Sequence, residues 1–254
     1  MAVTTSREDH VFIITIDRPE ARNAVNGDVA EGIEAALDTY EADAELWVAI
    51  LTGNGTVFSA GADLKAIAAG DARRLSTKRG GFGGLVKRDR TKPLIAAING
   101  VAVAGGLELV LACDIAIAAN SARFGLPEVK RSLAAAAGGL FRLPRAVGRS
   151  MAMELILTGD TIEADRALQL GLVNQVVDGA ELMDAARALA ARITANAPLA
   201  VQASLAVAGR ALTDDDDALW EASQQALGDI MKTEDFKEGP RAFVEKRAPV
   251  WKAR

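Results

Sequence analysis

Residues 99–114 have the sequence Asn99-Gly-Val-Ala-Val-Ala-Gly-Gly-Leu-Glu-Leu-Val-Leu-Ala-Cys-Asp114, which places one carboxylate, Glu108, inside an otherwise apolar run. A buried carboxylate without a partner is costly to keep ionised, and its pKa usually shifts instead. The pair Gly105-Gly106 follows a strand-like run and comes just before this carboxylate. A helix start leaves backbone N–H groups free, and the helix dipole there favours negative charge. The segment therefore predicts a strand, a glycine turn and a helix that hold an anion site beside a carboxylate of perturbed pKa.

Strands and helices alternate on both sides of this segment, which indicates an α/β fold. The apolar runs predict β-strands over Val11–Ile16, Trp47–Leu51, Leu94–Val103 and Ile115–Ala118. Helical spacing of apolar residues predicts helices over Gly27–Tyr40, Leu64–Ala69 and Gly106–Ala112. From about Ala146 the pattern is mostly helical, over Arg149–Leu157, Ile162–Leu170, Glu181–Asn196, Leu199–Ala211 and Ala218–Met231. We expect these helices, rich in Ala, Leu and Val, to pack on a neighbouring subunit.

Composition and charge exclude several classes of function. The 254 residues carry a net charge of −5, which argues against nucleic acid as the main partner. The chain has one cysteine, Cys113, so no intrachain disulfide is possible, and one histidine, His10. A Ser-His-Asp triad, a Cys-His pair or a His-ligated zinc site would have to use His10, which we expect to be solvated, with no metal bound. With no secretory signal and no apolar span of about 18 residues, the expected location is the cytoplasm, without a membrane partner.

A second candidate anion site lies in Phe58-Ser-Ala-Gly-Ala-Asp-Leu-Lys65, where a loop after a strand leads into a helix. The N–H of Ala62 would point away from that helix without a partner. Two such donors, on Ala62 and Gly105, would form an oxyanion hole if they converged on one oxygen. The alternative is structural: Asp63 would be an ordinary N-cap, and Gly105-Gly106 would permit close packing of a helix on a strand.

Glu128, which follows Pro127 in a turn-like segment, is the second candidate carboxylate. Two carboxylates beside a backbone anion site suit acid–base chemistry next to a carbonyl. Each also has a structural interpretation, because glutamate is common in the first turn of a helix. The stretch from Lys65 to Lys92 contains nine Lys or Arg against two acids. It is either an ordinary solvated face or a surface that contacts the phosphates of a nucleotide-like carrier.

Several segments match a known family in that family's order along the chain. They are Asp17-Arg-Pro-Glu-Ala-Arg-Asn-Ala24, Phe58-Ser-Ala-Gly-Ala-Asp-Leu-Lys65, Ala97-Ile-Asn-Gly100 with Gly105-Gly-Leu-Glu-Leu109, Phe124-Gly-Leu-Pro-Glu128, Leu157-Thr-Gly-Asp160, Gly171-Leu-Val-Asn174 and Phe243-Val-Glu-Lys-Arg247. On these segments the chain resembles the enoyl-CoA hydratase/isomerase (crotonase) family over nearly its full length. The resemblance implies an α/β fold, with a ββα spiral core and acyl-CoA site over residues 1–195. It also implies a C-terminal helical trimerisation region over residues 196–254.

The resemblance implies roles for individual residues. The N–H groups of Ala62 and Gly105 would form the oxyanion hole, and Glu108 and Glu128 stand at the positions of two catalytic glutamates. Substrate binding would involve Ala60, Ala62, Asp63, Leu64, Lys65 and Gly105, together with Lys246, which in some members serves the neighbouring subunit. The implied partner is an acyl-CoA thioester. Coenzyme A is then part of the substrate and no separate cofactor is expected. The implied assembly is a homotrimer or a dimer of trimers.

Two segments depart from the family's pattern. In Ala135-Ala-Ala-Gly-Gly139, Ala136 replaces a glycine that commonly approaches the catalytic water, and Arg131-Ser132 replaces an apolar–Gly pair. The loop Gly80-Gly-Phe-Gly-Gly84 and the tail Phe243–Lys252 are closer to the carnitinyl-CoA dehydratase branch.

The sequence therefore predicts an enoyl-CoA hydratase of fatty acid metabolism, which adds water to a 2-enoyl-CoA or removes it from a 3-hydroxyacyl-CoA. A Δ3-Δ2-enoyl-CoA isomerase is an alternative, since it needs only one carboxylate to move a proton. A non-catalytic acyl-CoA-binding or RNA-binding relative is a third possibility, which both glutamates and the acidic net charge disfavour. We expect the pocket walls to include residues 73–86 and 133–137.

Overall fold

The computed structural model describes all 254 residues, which form twelve β-strands and ten α-helices. The strands are β1 (Val3–Glu8), β2 (Val11–Ile16), β3 (Val48–Gly53), β4 (Val57–Ser59), β5 (Ser76–Thr77), β6 (Gly81–Phe82), β7 (Leu94–Ile98), β8 (Val101–Val103), β9 (Ile115–Ala119), β10 (Arg123–Gly125), β11 (Thr161–Glu163) and β12 (Gln175–Val177). The helices are α1 (Gly27–Ala42), α2 (Leu64–Ala68), α3 (Gly105–Val110), α4 (Gly139–Val147), α5 (Arg149–Thr158), α6 (Ala164–Gln169), α7 (Leu182–Thr194), α8 (Pro198–Ala208), α9 (Asp216–Ile230) and α10 (Glu234–Glu245). Single-turn 3-10 helices cover Pro19–Ala21, Ala72–Leu75, Pro127–Arg131 and Gly179–Glu181.

Two main sheets are built from a repeated unit of two strands and a helix. The larger sheet has the order β1-β2-β3-β7-β9-β12, and the smaller has the order β11-β10-β8-β4. In three successive units, the first strand lies in the larger sheet and the second lies in the smaller sheet. The units are β3-β4-α2, β7-β8-α3 and β9-β10 with the 3-10 helix that follows β10. This winding confirms the ββα spiral.

The inner strands of the larger sheet, β2, β3, β7 and β9, are apolar on both faces because both faces are covered. Alternate residues point to opposite sides of a strand, so each run supplies two packing surfaces. One face, with Ile13, Ile50, Ile95 and Ile117, packs on helix α7. The other face joins a core of 37 buried residues beneath α1 and α3. The near-continuous apolar strand patterns follow from this burial on both sides.

The predicted strand Leu94–Val103 is wrong as a single element. It is two strands, β7 and β8, which belong to different sheets and are separated by Asn99-Gly100. The chain turns there against the loop between β3 and β4, where a Cβ on Gly100 would lie 2.0 Å from the carbonyl oxygen of Thr56. Predicted helix Ile162–Leu170 likewise divides into β11 and α6. Three-residue strands are too short to show a period, so the apolar pattern alone joined them to their neighbours.

The C-terminal helices differ in how they pack. Helix α7 buries Leu182, Ala186 and Ala190 against the larger sheet. Helices α8 and α9 pack on each other, and Pro198 is their only buried residue. Trp220 is 68 % exposed in this single chain. The predicted helices Leu199–Ala211 and Ala218–Met231 are thus present; the large apolar side chains of α8 are half-buried, and α9 exposes Trp220 and Leu227.

His10 is less solvated than the sequence predicts. Its ring stacks on Trp47 at 3.6 Å between centroids, and its Nδ1 lies 2.7 Å from the carbonyl oxygen of Glu45. These contacts are at the start of the larger sheet, and His10 does not line the cavity described below. None of the helices is both long and apolar enough to span a membrane.

Candidate active site

The smaller sheet brings three separate chain segments to one edge. Strands β4, β8 and β10 are parallel neighbours, so their carboxyl ends meet there. Each strand leads into a short helix, and clefts at such strand ends are common ligand sites in α/β proteins. A cavity of about 720 Å³ opens at this edge. Ala62, Gly105, Glu108 and Glu128 all line it, as the sequence analysis predicts.

Two unpartnered backbone donors lie side by side in this cavity. Gly105 is the first residue of α3 and Ala62 lies between β4 and α2, and neither N–H donates to any of the loop, turn or cap hydrogen bonds. The two segments touch: a Cβ on Gly61, whose φ is +85°, would lie 2.8 Å from the nitrogen of Gly105. An oxyanion hole requires two free N–H donors at adjacent positions, and these two residues supply them. One such donor stabilises a transition state by about 3 kcal/mol.

Ala104 holds the turn between β8 and α3 in a strained conformation. Its φ is 52° and its ψ is −131°, a region in which a non-glycine residue costs of order 1–3 kcal/mol. The N–H of Ala104 donates to the carbonyl oxygen of Gly125 at 2.9 Å, which fixes the turn to β10. This turn sets the direction in which α3 begins. Nothing in the sequence marks this residue, because an alanine gives no signal of a positive φ.

Glu108 is buried, with 4 % of its surface exposed. Burial raises the pKa of its carboxyl group, while the N–H groups of Gly139 and Ala137 and the charge of Arg142 oppose that rise. The Gly139 N–H donates to Oε1 at 2.9 Å, so the carboxylate caps the first turn of α4. The ionised form of Glu108 therefore has partners in place.

Glu128 has a different environment. Burial raises its pKa to about 7, and the negative charge of Glu108 adds to the rise, against only the residue's own backbone N–H. Its Oε2 is buried and has no hydrogen-bond partner. The neutral, protonated form of Glu128 is thus favoured up to about pH 7, whereas the ionised form of Glu108 is stabilised by backbone N–H donors. Paired carboxyl groups held in opposite protonation states are suited to acid–base catalysis.

Arg142 connects Glu108 to the wall of the cavity. Its guanidinium donates from Nη2 to the carbonyl oxygen of Val86 at 2.7 Å, and its positive charge acts on Glu108. Nη1 is buried without a hydrogen-bond partner and lies 2.7 Å from the position of a Cβ on Gly138. Glycine at 138, with φ +112°, therefore leaves room for the guanidinium. Arg142 has no signal in the sequence, since only the folded chain brings it beside Glu108.

The residues expected to bind substrate divide into two groups. Ala60, Ala62, Leu64 and Gly105 line the cavity, whereas Asp63, Lys65 and Lys246 do not. Asp63 accepts hydrogen bonds from the N–H groups of Lys65 and Ala66 and pairs with Arg18 at 3.1 Å. Its carboxylate is therefore the N-cap of α2, the structural alternative given above. Lys246 is an exposed residue that ends α10.

The basic stretch between Lys65 and Lys92 is mostly committed to contacts within the chain. Arg74, Arg79 and Arg88 pair with acids on α1, and Arg90 pairs with Asp114. Lys92 is buried, and its ammonium donates to the carbonyl oxygens of Tyr40 and Asp43. Lys78 and Lys87 are the members of this stretch that line the cavity. Fewer basic residues of this stretch are thus available to an anion than the sequence suggests.

The predicted walls are both present. Residues Ser76, Thr77, Lys78, Gly81, Phe82 and Val86 line one side of the cavity, and Leu133, Ala134, Ala136 and Ala137 line another. Phe82 lies directly against the turn into α3, because a Cβ on Gly105 would come within 2.5 Å of two of its ring carbons. No three His, Cys, Asp or Glu side chains are grouped closely enough to hold a metal ion.

Comparison with known proteins agrees with this geometry. A family model described as enoyl-CoA hydratase/isomerase matches residues 6–254. The short-chain-enoyl-CoA hydratase of Clostridium acetobutylicum is 41% identical over 253 residues, which span 96% of this chain and 95% of that protein. The carnitinyl-CoA dehydratase of Salmonella typhi is 42% identical over 258 residues, which span 98% of this chain and 97% of that protein.

Solved structures show the same similarity. An enoyl-CoA hydratase from Mycobacterium tuberculosis H37Rv has 46% sequence identity and a TM-score of 0.95, over 100% of this chain and 99% of the other. A carnitinyl-CoA hydratase from Mycobacterium avium has 49% identity and a TM-score of 0.78, over 100% of this chain and 99% of the other. The likeness therefore extends from the strand core through the C-terminal helices.

Proposed function

The chain belongs to the enoyl-CoA hydratase/isomerase family, and from this membership we propose that it adds water to 2-enoyl-CoA thioesters or removes it from 3-hydroxyacyl-CoA thioesters. The observation that carries the proposal is the pair of glutamates in opposite environments beside two free backbone donors. Coenzyme A enters as part of the substrate, and no step is assigned to a separate cofactor.

In the proposed hydration, the N–H groups of Ala62 and Gly105 bind the thioester oxygen as it gains negative charge. Glu108, ionised and held at the first turn of α4, takes a proton from water as the water oxygen attacks C3. Glu128, protonated, gives its proton to C2 of the enolate, so that one water is added across the double bond. The proton gained by Glu108 must return to Glu128 before the next turnover. Dehydration runs through the same groups in reverse.

The relatives named above are short-chain and carnitinyl-CoA enzymes, and both names suit the proposed reaction class. The wall beside the glutamates contains the small side chains Ala134, Ala136 and Ala137. Small apolar side chains there leave room for the acyl group and offer it no hydrogen-bond partner. Lys78 and Lys87 supply positive charge to the cavity for the phosphates of the carrier.

The chain is also proposed to assemble through its last helices into a homotrimer or a dimer of trimers. Residues 1–195 would form the core with the acyl-CoA site and residues 196–254 the oligomerisation region. Support comes from α9, which exposes Trp220 and Leu227, and from Phe243, which is 85 % exposed. Lys246, outside this chain's own cavity, would then serve a neighbouring subunit. A cytoplasmic location is part of the proposal, since the single cysteine is compatible with a reducing compartment.

The test is a turnover panel of crotonyl-CoA, longer 2-enoyl-CoAs, crotonobetainyl-CoA and a 3-enoyl-CoA. Each reaction is followed by the enoyl-thioester absorbance and by mass spectrometry of the product, which shows whether water has been added. We expect hydration of at least one 2-enoyl-CoA. Conversion of the 3-enoyl-CoA to its 2-enoyl isomer without hydration would favour the isomerase instead. Salt-dependent RNA binding with no turnover would favour a non-catalytic relative.

A further inference from the structure

Four cationic side chains line the cavity without a carboxylate partner. They are Arg22, Lys78, Lys87 and Arg131, and none of them takes part in an ion pair. Lys78 and Lys87 are assigned to the phosphates of the carrier in the proposed function. Arg131 differs, because it belongs to the segment that carries Glu128.

Arg131 is placed on the same face as Glu128 by the geometry of its helix. The two residues are three apart in the 3-10 helix Pro127–Arg131, and a 3-10 helix has about three residues per turn, so positions i and i+3 lie above one another. The neighbour Lys130 is on another face, where its ammonium pairs with Asp160 at 2.8 Å. Ser132, with φ 56°, then ends the helix and turns the chain into the apolar wall.

The surroundings of Arg131 leave its charge available to a ligand. After the helix the cavity is lined by Leu133, Ala134, Ala136 and Ala137, none of which can pair with a guanidinium. A substrate whose C2 lies at Glu128 extends its acyl group along the wall formed by these residues. An acyl group of sufficient length therefore meets one cation on an otherwise apolar surface.

We propose that Arg131 makes this cavity selective for enoyl-CoA substrates whose acyl group ends in a carboxylate, and that it disfavours acyl groups that carry a quaternary ammonium. The inference rests on the proposed function, because it assigns the substrate class of the same site. A guanidinium and a carboxylate form charge-assisted, often bidentate hydrogen bonds, whereas two cations repel. Arg131 is exposed, so solvent reduces the effect, and we expect about a tenfold preference.

The experiment compares three 2-enoyl-CoA thioesters of matched acyl length, which end in a methyl group, a carboxylate or a trimethylammonium. For the wild-type protein at low ionic strength, kcat/KM for the carboxylate substrate should exceed that for the methyl substrate by about tenfold, with the ammonium substrate lowest. Arg131→Gln should bring the carboxylate-to-methyl ratio to about 1, and Arg131→Glu should reverse the order of the charged substrates. Lys130→Gln removes a charge from the same helix but outside the cavity, and should leave the ratios unchanged.

Equal ratios in the wild-type protein and in Arg131→Gln would overturn the proposal, as would a wild-type preference for the ammonium substrate. Wild-type turnover of crotonyl-CoA separates this outcome from failure of the hydratase assignment. If no thioester is turned over, calorimetric Kd values for the same three thioesters decide the charge selectivity by the same ratios.

Discussion

The substitution Glu128→Gln is expected to stabilise the folded protein above neutral pH while it removes activity. Burial and the charge of Glu108 raise the pKa of Glu128 from its ordinary value of 4.5 to about 7. Between these values the folded chain holds a proton that the unfolded chain has lost. The contribution of Glu128 to the free energy of unfolding is therefore fully present below about pH 4.5, and it is lost as the pH rises to about 7. Glutamine is neutral at every pH and has no such loss.

The size of the effect follows from the interval between 4.5 and about 7. At about 1.36 kcal/mol per pH unit, full ionisation of Glu128 costs about 3 kcal/mol. The unpartnered Oε2 has no donor that would reduce this cost, and the nearby Glu108 adds to it. The variant should therefore gain about 2–3 kcal/mol relative to the wild type between about pH 5 and about pH 8.

The measurement is urea-induced unfolding of both proteins across this pH range, at one fixed protein concentration because assembly affects apparent stability. Glu20→Gln is the matched control: Glu20 is exposed and makes no ion pair, so its curve should follow the wild type. Parallel pH curves for Glu128→Gln and the wild type would refute the reasoning. In the same range, wild-type kcat/KM for hydration should fall about tenfold per pH unit above about 7, as the acid is lost.

Three other predictions concern the site and the assembly. Glu108→Gln and Glu128→Gln should each lower kcat by about 10²-fold or more in the turnover assay, and loss in only one of them would favour the isomerase. Gly105→Pro should abolish turnover while a CoA product still binds, because it removes a backbone donor that acts on the transition state. The control is Gly105→Ala, which meets the same Phe82 contact but keeps the N–H. Equal kcat in the two variants would contradict the role of that donor. Light scattering over a dilution series should show a trimer or hexamer held by an apolar interface that includes residues 196–254, and a stable monomer of 26.5 kDa at micromolar concentration would contradict it.

The sequence by itself determined the elements and the chemistry-bearing residues. Local pattern was sufficient for the strand Val11–Ile16, for helix α1 and for the start of α3 beside Gly105. The isolated carboxylate in an apolar run marked Glu108, because burial of such a group is informative without knowledge of its neighbours. Local pattern also marked Ala62 and Glu128 as candidates, family resemblance implied their roles, and all of these residues line the cavity.

Only the tertiary structure decided how these residues are arranged and what surrounds them. Contacts between segments far apart in the chain divide Leu94–Val103 between two sheets. The same kind of contact sets the parallel order of β4, β8 and β10. The proposed acid and base roles also required the fold, because they depend on the N–H of Gly139 reaching Glu108 and on the absence of a partner for Oε2 of Glu128. Local periodicity records which side of an element is buried. The pKa of a buried group is set instead by charges and donors that only folding brings within a few ångströms.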